Sequence, residues 1–249
     1  MSKNNFMKTK ISIFLLIVST AIYSQKTDPI QADRPDQTET PAIVPKGMYQ
    51  VETGFTFEKN DMFSKSFSLP STLWKYGVNK NLELRLITEF ILEEKTYELT
   101  PLYVGFKIKL AEEKGIIPKT SFIAHLGLPN AASSRFKTNC FAPEFRFTMQ
   151  HTLSDKFSLG YNLGAEWDGF TALPTFIYTI TSGYTITKKL GVYGEFFGYL
   201  PQNCKASHLL DGGFTYLINN NFMVDLSSGL GLTKNALQDY FAFGFSFRL

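Results

Sequence analysis

The stretch Tyr49-Gln50-Val51-Glu52-Thr53-Gly54-Phe55-Thr56-Phe57-Glu58 decides the fold. Its odd positions carry Tyr, Val, Thr, Phe and Phe, and its even positions Gln, Glu, Gly, Thr and Glu. Successive side chains of a strand leave opposite faces, so this stretch is a strand with one apolar and one polar face. The far end of the chain repeats the pattern: Phe241, Phe243, Phe245, Phe247 and Leu249 alternate with Ala242, Gly244, Ser246 and Arg248. Between these ends the alternation recurs. Leu82, Leu84, Leu86 and Phe90 oppose Glu83, Arg85 and Glu89, and Val104, Phe106, Ile108 and Leu110 oppose Lys107 and Lys109. Phe145, Phe147 and Met149 oppose Glu144 and Arg146, and Phe157, Leu159, Tyr161 and Leu163 oppose Ser158, Asn162 and Glu166.

The spacing predicts strands at 49–58, 69–78, 82–92, 99–110, 119–127, 140–152, 156–166, 174–187, 190–199, 208–218, 221–230 and 240–249. That is about twelve, an even number. About ten residues tilted near 40° project to roughly 26 Å, close to the apolar band of an outer-membrane barrel. Two segments alternate poorly: 119–127 mixes Phe122, Ala124 and Leu126 with Ile123 and His125, and 190–199 puts Tyr193, Phe197 and Tyr199 on the face of Glu195. Pro143 lacks a ladder N–H, so a bulge or a later start is expected in the sixth strand.

A soluble sandwich also alternates, so the connections must decide. Those at 79–81, 153–155, 188–189 and 219–220 are tight, whereas most others are longer, 128–139 the longest; only 111–118 breaks the short set. Short turns on one rim and long loops on the other mark a transmembrane barrel, and closure leaves no strand edge unpaired in lipid. The expected fold is all-β, a transmembrane antiparallel up-and-down β-barrel over residues 49–249, with short turns in the periplasm.

Upstream, Lys3, Lys8 and Lys10 precede the uncharged run 11–21, followed by Ser24 and Gln25. This reads as a signal peptide over 1–24, cleaved between Ser24 and Gln25, since the run is too short to span a bilayer as a helix. Of 25 basic and 22 acidic residues, three lysines and no acid leave with it, so the mature chain is formally neutral and offers no nucleic-acid footprint. Residues 25–48, with prolines at 29, 35, 41 and 45, read as an irregular periplasmic lead-in.

With the apolar faces toward outer-membrane lipid, the polar faces line a lumen. Its expected residues are Glu52, Glu83, Arg85, Glu89, Lys107, Lys109, Glu144, Arg146, Glu166, Glu195, Asp211, Asp225 and Arg248. Glu83, Arg85, Glu144 and Arg146 are expected to interact. Gly54, Gly105, Gly160, Gly164 and Gly213 fall on the same face and would leave space. Twelve strands about 4.8 Å apart give a backbone radius of roughly 12 Å. An open path and a salt-bridged plug of side chains are both compatible with this pattern. Cys140 and Cys204 both fall toward the loop rim, where one disulfide is possible.

No Gly-rich phosphate loop or clustered Cys/His metal site is seen, and no cofactor is implied. Ser207 and His208 are adjacent and would face opposite ways in a strand, so a lipid hydrolase is a weak alternative.

Asp33-Arg34-Pro35-Asp36-Gln37-Thr38-Glu39-Thr40-Pro41, then Val44-Pro45-Lys46-Gly47 and the strand from Tyr49, resemble the outer-membrane transporter family named for the meta-pathway of phenol degradation. Asp33, Arg34, Pro35, Asp36, Thr38 and Glu39 match its opening motif. The resemblance implies a barrel passing small solutes, aromatic compounds among them. Read from the residues alone, 33–39 is a charged turn that could cap the periplasmic mouth, line the lumen or simply pin the first strand. The final strand also looks like an assembly signal for the barrel-assembly machinery, ending in Leu249 where Phe is commonest. The expected function is passive diffusion of small solutes across the outer membrane of a Gram-negative bacterium, against the alternative of a closed structural or adhesive barrel; oligomeric state is left open.

Overall fold

The computed structural model describes residues 27–61, 64–93, 96–236 and 239–249, with side chains described outside 59–69 and 93. The signal-peptide reading of 1–24 lies outside the described residues. Thirteen strands form one sheet: β1 Tyr49–Asp61, β2 Ser64–Asn79, β3 Leu82–Glu93, β4 Thr96–Leu99, β5 Tyr103–Ala111, β6 Lys119–Gly127, β7 Ala142–Thr152, β8 Phe157–Glu166, β9 Thr175–Thr185, β10 Leu190–Pro201, β11 Ser207–Asn219, β12 Phe222–Gly231 and β13 Asp239–Arg248. A 3₁₀ turn, Ser134–Phe136, sits in the longest loop. Each strand pairs antiparallel with its neighbours, and β13 returns to β1, so the sheet is closed. The Tyr49 N–H donates to the Leu249 carbonyl at 2.9 Å and the Leu249 N–H to that of Tyr49 at 2.8 Å, which seals the seam at its turn end.

β4 and β5 both pair with β3, through Phe90↔Leu99 and Ile87↔Tyr103. They are one stave of a twelve-stave barrel, broken at Thr100-Pro101-Leu102, where Pro101 has no N–H to give the ladder. The alternation predicted a continuous strand over 99–110. A second departure is at 59–68, expected as a loop: β1 and β2 continue into it, paired at Lys59↔Lys65. β7 begins at Ala142, so Cys140 precedes the strand, and Pro143 is its second residue, opposite Leu126.

Burial is inverted relative to a water-soluble protein. Glu83 and Lys107 are fully buried, whereas Leu84, Leu163 and Phe214 are half exposed. Such an apolar exterior cannot stay dispersed in water, and the same charges turned toward lipid would each cost up to several kcal/mol. Among the described residues no helix is long and apolar enough to cross a membrane; the strands do the crossing. The poorly alternating segments resolve on the same logic. β6 turns Ser121, Ile123 and His125 inward, and β10 turns Phe197 inward together with Glu195.

Candidate functional site: an occupied lumen

Residues 27–48 enter the barrel from the end that carries the short turns and return to it. The Ile30 N–H donates to the Asn220 carbonyl at 2.8 Å, and Arg248 Nη2 donates to the Asp28 carbonyl at 2.6 Å, so the ascending limb starts at the β11–β12 turn. The apex lies mid-barrel. There the Gln37 N–H donates to Glu195 Oε2 at 2.7 Å, and Thr38 Oγ1 meets Glu195 Oε1 at 2.5 Å and Thr179 Oγ1 at 2.6 Å. The descending limb accepts from Ser121 Oγ at the Pro41 carbonyl (2.8 Å) and gives the Val44 N–H to Glu83 Oε2 (2.9 Å). It leaves at Gly77, where an added Cβ would run into the Val44 and Pro45 carbonyls. A segment without periodicity thus has its buried backbone groups satisfied by inward side chains of the strands, as buried peptide groups must be.

The sharpest contact is at Asp33. Lys75 Nζ lies 2.8 Å and Arg85 Nη1 3.0 Å from its Oδ2, and Lys107 Nζ lies 2.9 Å from Oδ1 and 3.1 Å from Oδ2. The three cations come from β2, β3 and β5, neighbours along one wall. Arg85 extends the network to Glu39 (2.5 Å), Glu83 (3.2 Å) and, through Nε, His125 (3.0 Å), whose Nδ1 meets Glu144 at 2.5 Å. Lys75 also meets Glu52 at 2.5 Å, and Glu52 Oε2 accepts the Asp33 and Arg34 N–H groups. Charges taken out of water are tolerable only when paired and hydrogen-bonded in this way.

The opposite wall is acidic. Arg34 reaches across to Asp225 on β12 at 3.0 Å. Its guanidinium lies in a niche made by Gly54 of β1 and Gly244 of β13, which are paired in register; a Cβ on Gly54 would overlap it. Glu195 and Asp211 stand on β10 and β11, where the Tyr240 hydroxyl donates to Asp211 Oδ2. Arg146 donates to the Gln37 carbonyl at 3.3 Å, and the Asn162 amide, with its oxygen toward the segment, accepts the Glu39 N–H at 2.8 Å.

Two cavities flank the segment. The turn-side cavity, about 170 Å³, is bordered by Lys75, Lys80, Lys109, Lys119 and Arg248, with Asp28 opposing them. The loop-side cavity, about 360 Å³, is bordered by Phe197, Tyr199, Leu209 and Tyr240, by Glu58 and Glu89, and by Arg34 and Gln37 of the segment. Its apolar wall continues into a buried cluster of Phe197, Leu209 and Ala236.

Of the sequence-predicted lumen residues, Glu52, Glu83, Arg85, Lys107, Glu195, Asp211 and Asp225 are buried inside, Glu144 and Arg146 join the segment's network, and Glu89, Lys109 and Arg248 border the cavities. Glu166 pairs in register with Glu144 near the loop end. Of the four charges expected to interact, Arg85 meets Glu83 and reaches Glu144 by way of His125, whereas Arg146 donates to the Gln37 carbonyl of the segment. The inward glycines do not leave open space. Arg34 fills that beside Gly54, Thr38 approaches Gly160, and side chains of His125, Arg146 and Tyr193 occupy that beside Gly105, Gly164 and Gly213. Cys140 and Cys204 are both exposed free thiols rather than a disulfide. His208 Nδ1 is bound to the Tyr178 hydroxyl at 2.6 Å, while Ser207 Oγ donates to the Asn235 carbonyl, so this pair does not form the nucleophile and base of a hydrolase. Sequence reasoning missed Lys75, whose inward face follows from its flanking Trp74 and Tyr76; alternation places the aromatics of β10 on the face of Glu195, but with no role in a cavity wall.

Solved structures share this fold. An outer membrane channel from Pseudomonas putida F1 superposes with a TM-score of 0.61 at 11% identity, over 86% of this chain and 99% of that one. The NanC porin gives 0.57 at 11% identity, covering 81% and 100%, and the KdgM porin 0.56 at 10%, covering 80% and 98%. No curated protein matches the sequence. Fold and apolar belt together make the chain an outer-membrane barrel of the Gram-negative type. The family match begins one residue before Asp33 and runs to the last strand, taking in lumen segment and wall together: over residues 32–249 the chain belongs to the family described as MetA-pathway of phenol degradation.

Proposed function

We propose that this barrel passes small solutes by diffusion down their gradient, and that residues 27–48 set how wide the path is. The observation that carries this reading is the pair of cavities separated by a segment that is not part of the wall. A lumen filled by wall side chains alone could not open without rebuilding the barrel, whereas a separate segment can move within an intact one. Small aromatic compounds are the preferred solutes in this reading. Phe197, Tyr199 and Tyr240 offer ring faces in the loop-side cavity, and the family description points to phenol degradation. The loops at 128–139 and 200–207 are read as external, the lead-in and short turns as periplasmic, residues 1–24 as the removed signal, and the barrel-assembly machinery as the insertion route.

The test is reconstitution of the mature chain into liposomes, with solute-driven swelling over a size series and planar-bilayer conductance. The intact chain is expected to pass only the smallest solutes, and the chain lacking residues 26–44 larger ones. A closed structural barrel is the second reading, favoured by the density of buried ion pairs around Asp33. Absence of swelling and conductance in both chains decides for it.

A further inference from the structure

Asp33 is supplied by a segment outside the barrel wall, yet its carboxylate is held as a bound ligand would be. Lys75, Arg85 and Lys107 close on its two oxygens at 2.8–3.1 Å, each side chain at most 1% exposed. Their other partners are unequal. Lys75 also has Glu52 and Arg85 also has Glu83, both on the wall. Lys107 Nζ has, among the described residues, hydrogen bonds only to the segment: Asp33, and the Thr40 carbonyl at 2.8 Å. Glu83, the register partner of Lys107 across the β3–β5 ladder, is shared with Arg85, so departure of the segment leaves three buried cations facing the two wall carboxylates Glu52 and Glu83, and the wall in need of another anion. The turn-side cavity, which Lys75 borders, adds Lys80, Lys109, Lys119 and Arg248 on the way to it.

We propose that Lys75, Arg85 and Lys107 form a binding site for small organic carboxylates in which Asp33 is the built-in competitor. A solute carboxylate takes the place of the Asp33 carboxylate, and the segment is released as it does so. The wall selects for two coplanar oxygens: Lys107 spans both, and Lys75 and Arg85 share one, whereas the Thr40 N–H that takes the other at 2.9 Å belongs to the segment and leaves with it. A halide offers a single centre, and a phosphate dianion would bring a second charge against Glu52 and Glu83. For its role in passage the site rests on the channel reading above, but binding is read in detergent, so a barrel that fails to conduct leaves this proposal standing.

The experiment is thermal unfolding of purified Asp33→Ala in chloride, acetate and benzoate at equal ionic strength. Acetate and benzoate should raise the transition by about 5 °C over chloride, and Lys107→Met in the same background should abolish that difference. Asp33→Asn, closer in size to the native side chain, serves as a second carrier of the test. Equal transitions in acetate and chloride for both Asp33 variants, or a carboxylate effect that survives Lys107→Met, overturn the site. Release is read separately, with Gln37→Cys in a background of Cys140→Ser and Cys204→Ser. Labelling by an impermeant maleimide should be about tenfold faster in benzoate than in chloride, and an unchanged rate overturns the displacement.

Discussion

Asp33 and Arg34 are neighbours in the chain but are received by opposite walls in different ways. Asp33 meets three fully buried cations, and its carboxylate oxygens are saturated by them and by Thr40. Among the described residues Arg34 meets one carboxylate, Asp225, its side chain keeps 19% exposure, and its Nε is buried without a partner. The two walls therefore hold the segment unequally: β2, β3 and β5 anchor it, and the β1–β13 seam with β12 only steadies it. Strength in a lumen follows the number of counter-charges that converge on one group, because each additional partner offsets a desolvation cost already incurred.

The largest expected effect comes from Arg85→Leu. It strips a partner from Asp33, Glu39 and Glu83 at once and should cost about 3–5 kcal/mol in detergent unfolding. A change below about 1 kcal/mol would break the comparison, since the anchoring wall would then be no stronger than an exposed ion pair. Arg34→Ala should cost less, about 1.5–3 kcal/mol, for one charged hydrogen bond. Gly54→Ala is smaller again, roughly 1–2 kcal/mol, because a methyl there meets the mobile end of Arg34 rather than backbone. In the Arg34→Ala background Gly54→Ala should cost almost nothing, and a double-mutant cycle reads that coupling directly. Additive costs would mean that the niche does not depend on Arg34.

The smallest effect lies outside the lumen, in the β8–β9 loop. The Asp168 carboxylate accepts the N–H groups of Thr171 and Phe170, each at 2.8 Å, and these hold its pKa below the usual carboxylate range. A depressed folded-state pKa gives stabilisation that is present above the unfolded value, about 4, and lost as pH falls through the folded one. The Phe170 and Thr171 amide resonances should therefore shift only below about pH 4, and Asp168→Asn should remove that step.

The wall was legible because a membrane imposes one rule on every outward position, and period two carries that rule in local sequence. Phe241 to Leu249 needs no knowledge of its partner to be read as a strand. The exceptions fall where the rule stops applying. Ile123 of β6 and Phe197 of β10 face inward, where apolar residues are permitted, so these two strands showed only as broken alternation. Pro101 breaks a stave whose flanking residues alternate correctly. The lumen segment was legible only as a cluster of charges. Its meaning depends on Lys75, Arg85 and Lys107, which are 42 to 74 residues away, and on Asp225, 191 away. No local pattern encodes contacts at such separations; what sequence did offer was a set of inward charges of both signs that had to find partners.

The glycine niche has a consequence for how the barrel is completed. One half of it belongs to the first strand and the other half to the last, so the seat for Arg34 exists only once β13 has found β1. Capture of Arg34 therefore reports a closed ring, because its guanidinium fits between two residues without side chains, one from each end of the barrel.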